Sequence, residues 1–268
     1  MNQPAVRGSS DGGDERHPTR RFSERVGEYV RHRPDYPPGM FELLLEGLGP
    51  ASGLVAVDIG AGTGISSRPL AARGCRVIAV EPNADMRAAG MAAGGAGIEW
   101  RGGTGEATGL DAGTVDVVLC AQAFHWLDAG RAMAEFARIT RRGGRVGVVW
   151  NVRDDRDAFT SAYGAAIVRH ATEPPTSPSM SGHDRSPFPA PGWEGGRRVE
   201  LAWQQELDEA GLIGRALSAS YVPRAGAGRV ALEAELRAAF ARWGVGGRGV
   251  LRYVTCVHLA ERGEERGV

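Results

Sequence analysis

The most constraining feature of this chain is an apolar run that ends in closely spaced glycines. Leu54 to Ile59 is apolar apart from Asp58, and Gly60-Ala61-Gly62-Thr63-Gly64 follows directly. Ile65 to Ala72 then has helical spacing. Glycines let a chain turn sharply at positive φ and bring backbone N–H groups close to a ligand. A strand that feeds a helix through such a loop belongs to a sheet covered by helices, and the rest of the chain agrees. Further strands are expected at Arg76–Val80, Gly97–Arg101, Val115–Ala121 and Arg145–Trp150, separated by helical patterns at Asp85–Ala93 and Arg131–Thr140. Val115–Ala121 is almost continuously apolar, as a strand buried on both faces should be. Strand–helix alternation of this kind argues for a parallel sheet with right-handed crossovers. Beyond it come a helix at Asp157–His170, a strand at Val199–Glu206, helices near 207–218 and 229–243, and a strand at Leu251–Leu259. The expected fold is α/β: a doubly wound, seven-stranded, mostly parallel sheet whose last strand is antiparallel.

Composition sets the organisation around this core. Residues 1–20 hold little to bury and are expected to form a disordered tail. Residues 21–50 are expected to be cap helices, broken by His32-Arg33-Pro34-Asp35-Tyr36-Pro37-Pro38 because proline disfavours helix at its own and the preceding position. Residues 51–150 form the expected ligand-binding core and 151–268 the rest of the same domain. Six prolines lie between residues 173 and 196, which suggests a long irregular lid loop before the last two strands.

Several function classes are excluded or disfavoured. Acidic and basic residues balance at 32 each, so no global attraction to nucleic acid or acidic membrane is expected. All the basic residues are Arg; without Lys there is no Schiff-base chemistry and no GxxxxGK[ST] phosphate loop. Cys75, Cys120 and Cys256 are far apart and read as small buried hydrophobes, and no metal site is expected. The absence of an apolar leader or a run of about 20 apolar residues suggests a cytoplasmic protein.

The loop itself suggests a ligand. Glu81 ends the second strand, 17 residues after Gly64, where an acid in doubly wound folds reaches a ribose hydroxyl pair. The dinucleotide fingerprint is GxGxxG, but here the spacing is GxGxG and Ile65 stands where the third glycine would be needed. Asp58 is poorly placed for a pyrophosphate and suits a cationic ammonium or sulfonium group. Together these residues point to an adenosine-containing, positively charged ligand.

The segment Val57–Gly64 resembles the first motif of class I S-adenosyl-L-methionine (SAM)-dependent methyltransferases, which carry a Rossmann-like fold. Gly103–Asp116 is similar to the family stretch G-D-A-E-x-L-P-F-x-D-G-x-F-D, and Arg141–Arg145 to L-x-P-G-G-x. Ala121–Trp126 and Tyr29–Pro37 resemble the small-molecule branch that includes trans-aconitate methyltransferase-like enzymes. The resemblance implies SAM as cofactor, with S-adenosyl-L-homocysteine as product. It places Gly60, Ala61, Gly62 and Gly64 around the methionine part, Asp58 nearby, and Glu81 on the ribose. Met86 would pack on the adenine. Thr104 stands where the family usually has Asp or Asn for the adenine amine, with the Gly105 N–H beside it. Tyr29 and Arg33 would close over the cofactor, and Gln122 would bond SAM or acceptor.

Methyl transfer from a sulfonium is an in-line displacement, so the protein mainly aligns the acceptor and excludes water. An oxygen or sulfur of a small metabolite or natural product is the expected acceptor. His125, which titrates near neutral pH, is the candidate base or acceptor-binding residue, and Trp126 a candidate substrate platform. Arg153, Arg156 and Arg224 are candidates for holding an acidic acceptor. Competing readings are a SAM-binding protein that regulates or catalyses a non-methylating reaction and, with less support, a nicotinamide-dependent oxidoreductase. A nucleic-acid methyltransferase is disfavoured because no Asn/Asp-Pro-Pro-aromatic motif follows the fourth strand. The oligomeric state has no sequence signal.

Overall fold

Alternation along β1 (Val55–Ile59) decides how the layers form. Val57 and Ile59 point to one face of the sheet, and Ala56 and Asp58 to the other. On the first face they join Ile78, Val80, Val118, Cys120, Val148 and Trp150 in a core closed by Met133 and Phe136. On the second, Ala56 packs with Val77, Val117, Leu119 and Val149 beneath Met40, Phe41, Leu44 and Leu70. The computed structural model describes residues 26–173 and 186–263. The expected tail at 1–20, half of the expected lid loop and the Tyr29 side chain lie outside the described residues.

The strands are β1, β2 (Arg76–Val80), β3 (Ile98–Arg101), β4 (Val115–Ala121), β5 (Thr140–Arg153), β6 (Trp193–Leu207) and β7 (Gly249–Arg262). They form one seven-stranded sheet in the order β3-β2-β1-β4-β5-β7-β6. The pairings among β1–β5 are parallel, and β7 runs antiparallel between β5 and β6. This is the expected fold class. Every residue of β4 is buried, so its apolar run reflects two covered faces. β1 and β4 are neighbours from which the chain winds outward in both directions, so a crevice opens at the carboxyl ends of these strands.

The helices are α1 (Val26–His32), α2 (Pro38–Leu45), α3 (Ser67–Ala72), α4 (Ala84–Ala92), α5 (Ala129–Ile139), α6 (Ala158–Arg169), α7 (Glu209–Leu217) and α8 (Gly226–Trp243). Side-chain caps set several starts. Asn83 accepts from the N–H groups of Asp85 and Met86, Asp128 from Arg131, Asp157 from Thr160 and Asp208 from Gly211. The Asp128 cap explains why α5 begins two residues before the expected Arg131. Phe136 on α5 is fully buried, and Phe136→Ala would cost about 3–5 kcal/mol through the cavity it leaves. Arg145 binds the carbonyls of Leu43, Leu44 and Glu46 and pairs with Glu261, which ties the end of α2 to the sheet.

Three strands are longer than expected: β7 extends two residues before and three beyond Leu251–Leu259, and β5 and β6 start well before their expected bounds. Thr140 already pairs with Val115, the chain bulges through Arg141–Gly144, and pairing with β4 resumes at Val117↔Arg145. β6 begins at Trp193, inside the segment expected to be loop, and carries a bulge between Glu194 and Arg197. Its alternating half-exposed pattern, rich in charge and glycine, marks it as an edge strand. Among the described residues no helix is long and apolar enough to cross a membrane.

Candidate active site

The glycine loop folds back on β2. Gly60 N–H and Ala61 N–H both donate to the Val80 carbonyl, at 2.8 and 3.2 Å. Gly60, Gly62 and Gly64 have φ of 65°, 58° and 78°, a region that L side chains rarely occupy. Gly60 has a second reason to be glycine: a Cβ there would lie 2.4 Å from the Ala123 Cβ. The loop from the end of β1 is therefore pressed against the turn that follows β4.

Asp58 sits under this loop and is fully buried. Ser66 Oγ and Ser67 Oγ both donate to its Oδ2, at 2.7 and 2.5 Å. Its Oδ1 is buried without a hydrogen-bond partner. Burial pushes the carboxyl up to about 6, against the two serine hydrogen bonds, and the Glu81 carboxylate adds to the rise. The Thr63 hydroxyl is likewise buried without a partner.

Glu81 closes the loop from the other side. Its Oε2 accepts from Gly62 N–H at 2.9 Å and its Oε1 from Asn83 N–H at 2.8 Å. Burial raises its pKa, while these two backbone bonds and Arg87 oppose the rise. Each carboxylate oxygen keeps a second acceptor position, so the group can hold the loop and still accept from two hydroxyls. Met86 is buried in the first turn of α4. Trp100, from β3, fills the space between the loop and α4; a Cβ at Gly90 would lie 2.2 Å from its ring and one at Gly64 3.1 Å.

Gln122 directly follows β4 with φ of 57°, the one positive-φ residue other than glycine among the described residues. Such strain persists where surrounding bonds over-determine it. Its N–H donates to the Val149 carbonyl at 2.8 Å and its Nε2 to the Asn151 carbonyl at 3.1 Å. The turn Phe124–Trp126 follows, with the rings of His125 and Trp126 tilted at a centroid distance of 4.9 Å. Thr104 is exposed in a tight turn bridged to Ala107. Gly105 is buried where a Cβ would lie 2.4 Å from Leu127 and 3.1 Å from Ile59.

The candidate residues thus fall into two groups. Asp58, the glycine loop, Glu81, Met86, Gly105, Gln122, His125 and Trp126 gather at the carboxyl ends of β1, β2 and β4. Arg33 lies across at α7, donating to the Ser218 carbonyl at 3.2 Å, and Tyr29 is in α1. A cleft lined by Arg33, Asp35, Ile65, Arg68 and Gln205 separates this cap from α3. Sequence reasoning missed Ser66, Ser67, Asn83, Trp100 and Asn151. The serines directly follow the loop and are the hydroxyl donors a buried carboxylate requires. Asn151 links Gln122 to the cap, since its Nδ2 donates to the Asp35 carbonyl at 3.0 Å.

Residues 57–148 match the family model described as a methyltransferase domain. An uncharacterised methyltransferase of Mycobacterium tuberculosis is 38% identical over 200 residues, which span 75% of this chain and 76% of that protein. The chain belongs to the class I methyltransferase family. An uncharacterised methyltransferase-like protein of Schizosaccharomyces pombe is 30% identical over 156 residues, 58% of this chain and 60% of that protein. Among solved structures, a candidate type II methyltransferase from Anaeromyxobacter dehalogenans has a TM-score of 0.60 at 27% identity, covering 85% of this chain and 96% of that one. The Bacillus YcgJ protein, at 16% identity and a TM-score of 0.54, shares the fold.

Proposed function

We propose that this methyltransferase uses SAM and transfers its methyl group, by in-line displacement, to an oxygen or sulfur of a small molecule. The observation that carries the reading is the buried Asp58 carboxylate, with Oδ1 unpartnered, beneath a glycine-rich loop whose Gly62 N–H is bonded to Glu81. A ligand with a cationic centre and a hydroxyl pair fits that donor set. In this reading SAM supplies a methyl group already activated on a sulfonium.

The chain's own residues would bind and orient. Asp58 offers negative charge to a cationic group, and Glu81 accepts from ribose hydroxyls while it holds the loop in shape. Met86 offers apolar contact to an adenine, with the Gly105 backbone and Thr104 beside it. Gln122, strained at the end of β4, bonds the cofactor or acceptor. His125 takes a proton from an acceptor that carries one, and Trp126 walls the acceptor pocket. Tyr29 and Arg33 close the cap. A carboxylate acceptor, as in the trans-aconitate methyltransferase-like branch, needs no strong base because its reference pKa is about 4. A cytoplasmic location suits a metabolite acceptor.

The test is S-adenosylhomocysteine release from SAM against panels of small carboxylates, thiols, phenols and amines, read by mass spectrometry with the +14 product. Turnover on an oxygen or sulfur acceptor is the expected result. Turnover confined to amines would overturn the acceptor assignment. Bound cofactor with no turnover on any class would favour a SAM-binding protein that does not methylate.

A further inference from the structure

Two arginines are buried in the carboxyl-terminal part of the molecule without an acidic partner. Arg153, the last residue of β5, and Arg215, on α7, are each 7% exposed. The Nε of each is buried with no hydrogen-bond partner. The Arg153 side chain makes no hydrogen bond or ion pair with any described residue, and its guanidinium lies 5.8 Å from the Tyr163 ring centroid. Among the described residues the Arg215 guanidinium donates one hydrogen bond, from Nη1 to Ser218 Oγ at 3.4 Å.

The two belong to one neighbourhood. Tyr163, Tyr253 and Ala216, the residue after Arg215, share one buried cluster, and Tyr253 is the β7 residue paired with Arg153. Of the acidic residues nearby, Asp154 pairs with Arg156, and Asp155 is exposed and forms no ion pair with Arg153, although its Oδ1 and the Arg153 Nε both lie 3.5 Å from where a Cβ at Gly164 would sit. Arg156 and Arg224 are themselves exposed, so of the three arginines that the sequence offers for an acidic acceptor only Arg153 is buried.

Arginine keeps its proton in proteins, so it cannot escape burial by neutralising. A buried guanidinium without a carboxylate is costly unless an anion joins it. Each of these planar guanidinium groups can offer bidentate N–H donors to an oxyanion. The place is right for an acceptor. Asn151 and Arg153 project to the same side of β5, about 7 Å apart, and the Asn151 carbonyl is the one that holds Gln122. On the other side, Ser218 Oγ donates to the Arg215 carbonyl while the Ser218 carbonyl accepts from Arg33 of the cap.

We propose that Arg153 and Arg215, with the Tyr163 hydroxyl, form an oxyanion subsite, so that the acceptor is a small molecule carrying a carboxylate or phosphate group. Only the word acceptor rests on the proposed function; the oxyanion site does not require it.

The experiment is calorimetric titration of the full chain with benzoate, citrate and inorganic phosphate, with and without saturating S-adenosylhomocysteine. The expected result is saturable binding of at least one probe, weakened about 10- to 100-fold in Arg153→Met and partly kept in Arg153→Lys. S-adenosylhomocysteine affinity stays unchanged in both variants. The unliganded Arg153→Met protein should melt at or above the parent temperature, because an unpaired buried charge is gone. A preference for benzoate or citrate identifies a carboxylate acceptor, and a preference for phosphate a phosphorylated one. No probe binding to the parent, or unchanged probe affinity in Arg153→Met, would overturn the proposal. If Arg153→Met fails to fold, Arg153→Lys and Tyr163→Phe must each weaken probe binding, and unchanged affinity in both overturns it. Probe binding without S-adenosylhomocysteine binding would refute the SAM reading and leave the oxyanion site standing.

Discussion

Asp58 makes the unliganded protein pay for its site in a way that pH exposes. Its folded pKa is about 6, against about 3.9 for an unperturbed Asp. The folded state therefore binds more protons than the unfolded state between those values. Stability from this group is full below about pH 4 and is lost as pH rises through about 6. Asp58 is fully buried, so no solvent screening reduces the effect. Two pKa units correspond to about 3 kcal/mol. The assay is urea unfolding of the parent and of Asp58→Asn from pH 4 to pH 8. An amide leaves its own buried donors unsatisfied, so the absolute stabilities are not the comparison. The quantity is the difference between the two pH profiles, in which other titrating groups cancel. The parent should lose about 3 kcal/mol relative to Asp58→Asn across this range, with the steepest loss between pH 4 and 6. Parallel profiles would refute the buried-carboxylate reasoning. Saturating SAM should flatten the parent's profile, because a cationic ligand favours the ionised carboxylate.

Other outcomes follow from the geometry. Gly60→Ala should cost about 1–2 kcal/mol from its left-handed φ, with more from the Ala123 clash, and Ala123→Gly should restore only the second part, as read by thermal melts. Gln122→Gly should relieve its positive φ and stabilise the protein by about 1 kcal/mol while lowering turnover; a drop in melting temperature would show that the Asn151 bond outweighs the strain. His125→Ala should reduce turnover severalfold or more with cofactor affinity intact, and loss of folding instead would make it a structural histidine.

The sheet was legible because its signals are local. The β1 run, the glycines and the continuous apolar β4 mark the crevice directly, and each strand from β1 to β4 lies within a residue of its expected bounds. β6 was half hidden because an edge strand is paired on one side only, and its Glu194–Arg198 stretch carries charge and glycine rather than an apolar run. The Arg141–Gly144 bulge delayed the apparent start of β5 for a similar reason. At the site, sequence spacing identifies Asp58 and Glu81 but not what they bond. Glu81 binds Gly62 of its own loop, and Asp58 binds two serines, facts set by the turn rather than by residue type. Burial was the least legible quantity. Nothing in the string separates Arg153 from Arg156, yet β5 carries the first into the interior and leaves the second on the surface.

The most direct measurement is calorimetric titration of the parent and Glu81→Ala with S-adenosylhomocysteine, alongside NAD. The account predicts one-to-one binding of S-adenosylhomocysteine, weakened by about 1.5–3 kcal/mol, roughly 10- to 100-fold, in Glu81→Ala, and no binding of NAD. Absence of S-adenosylhomocysteine binding, or saturable NAD binding in its place, would contradict it.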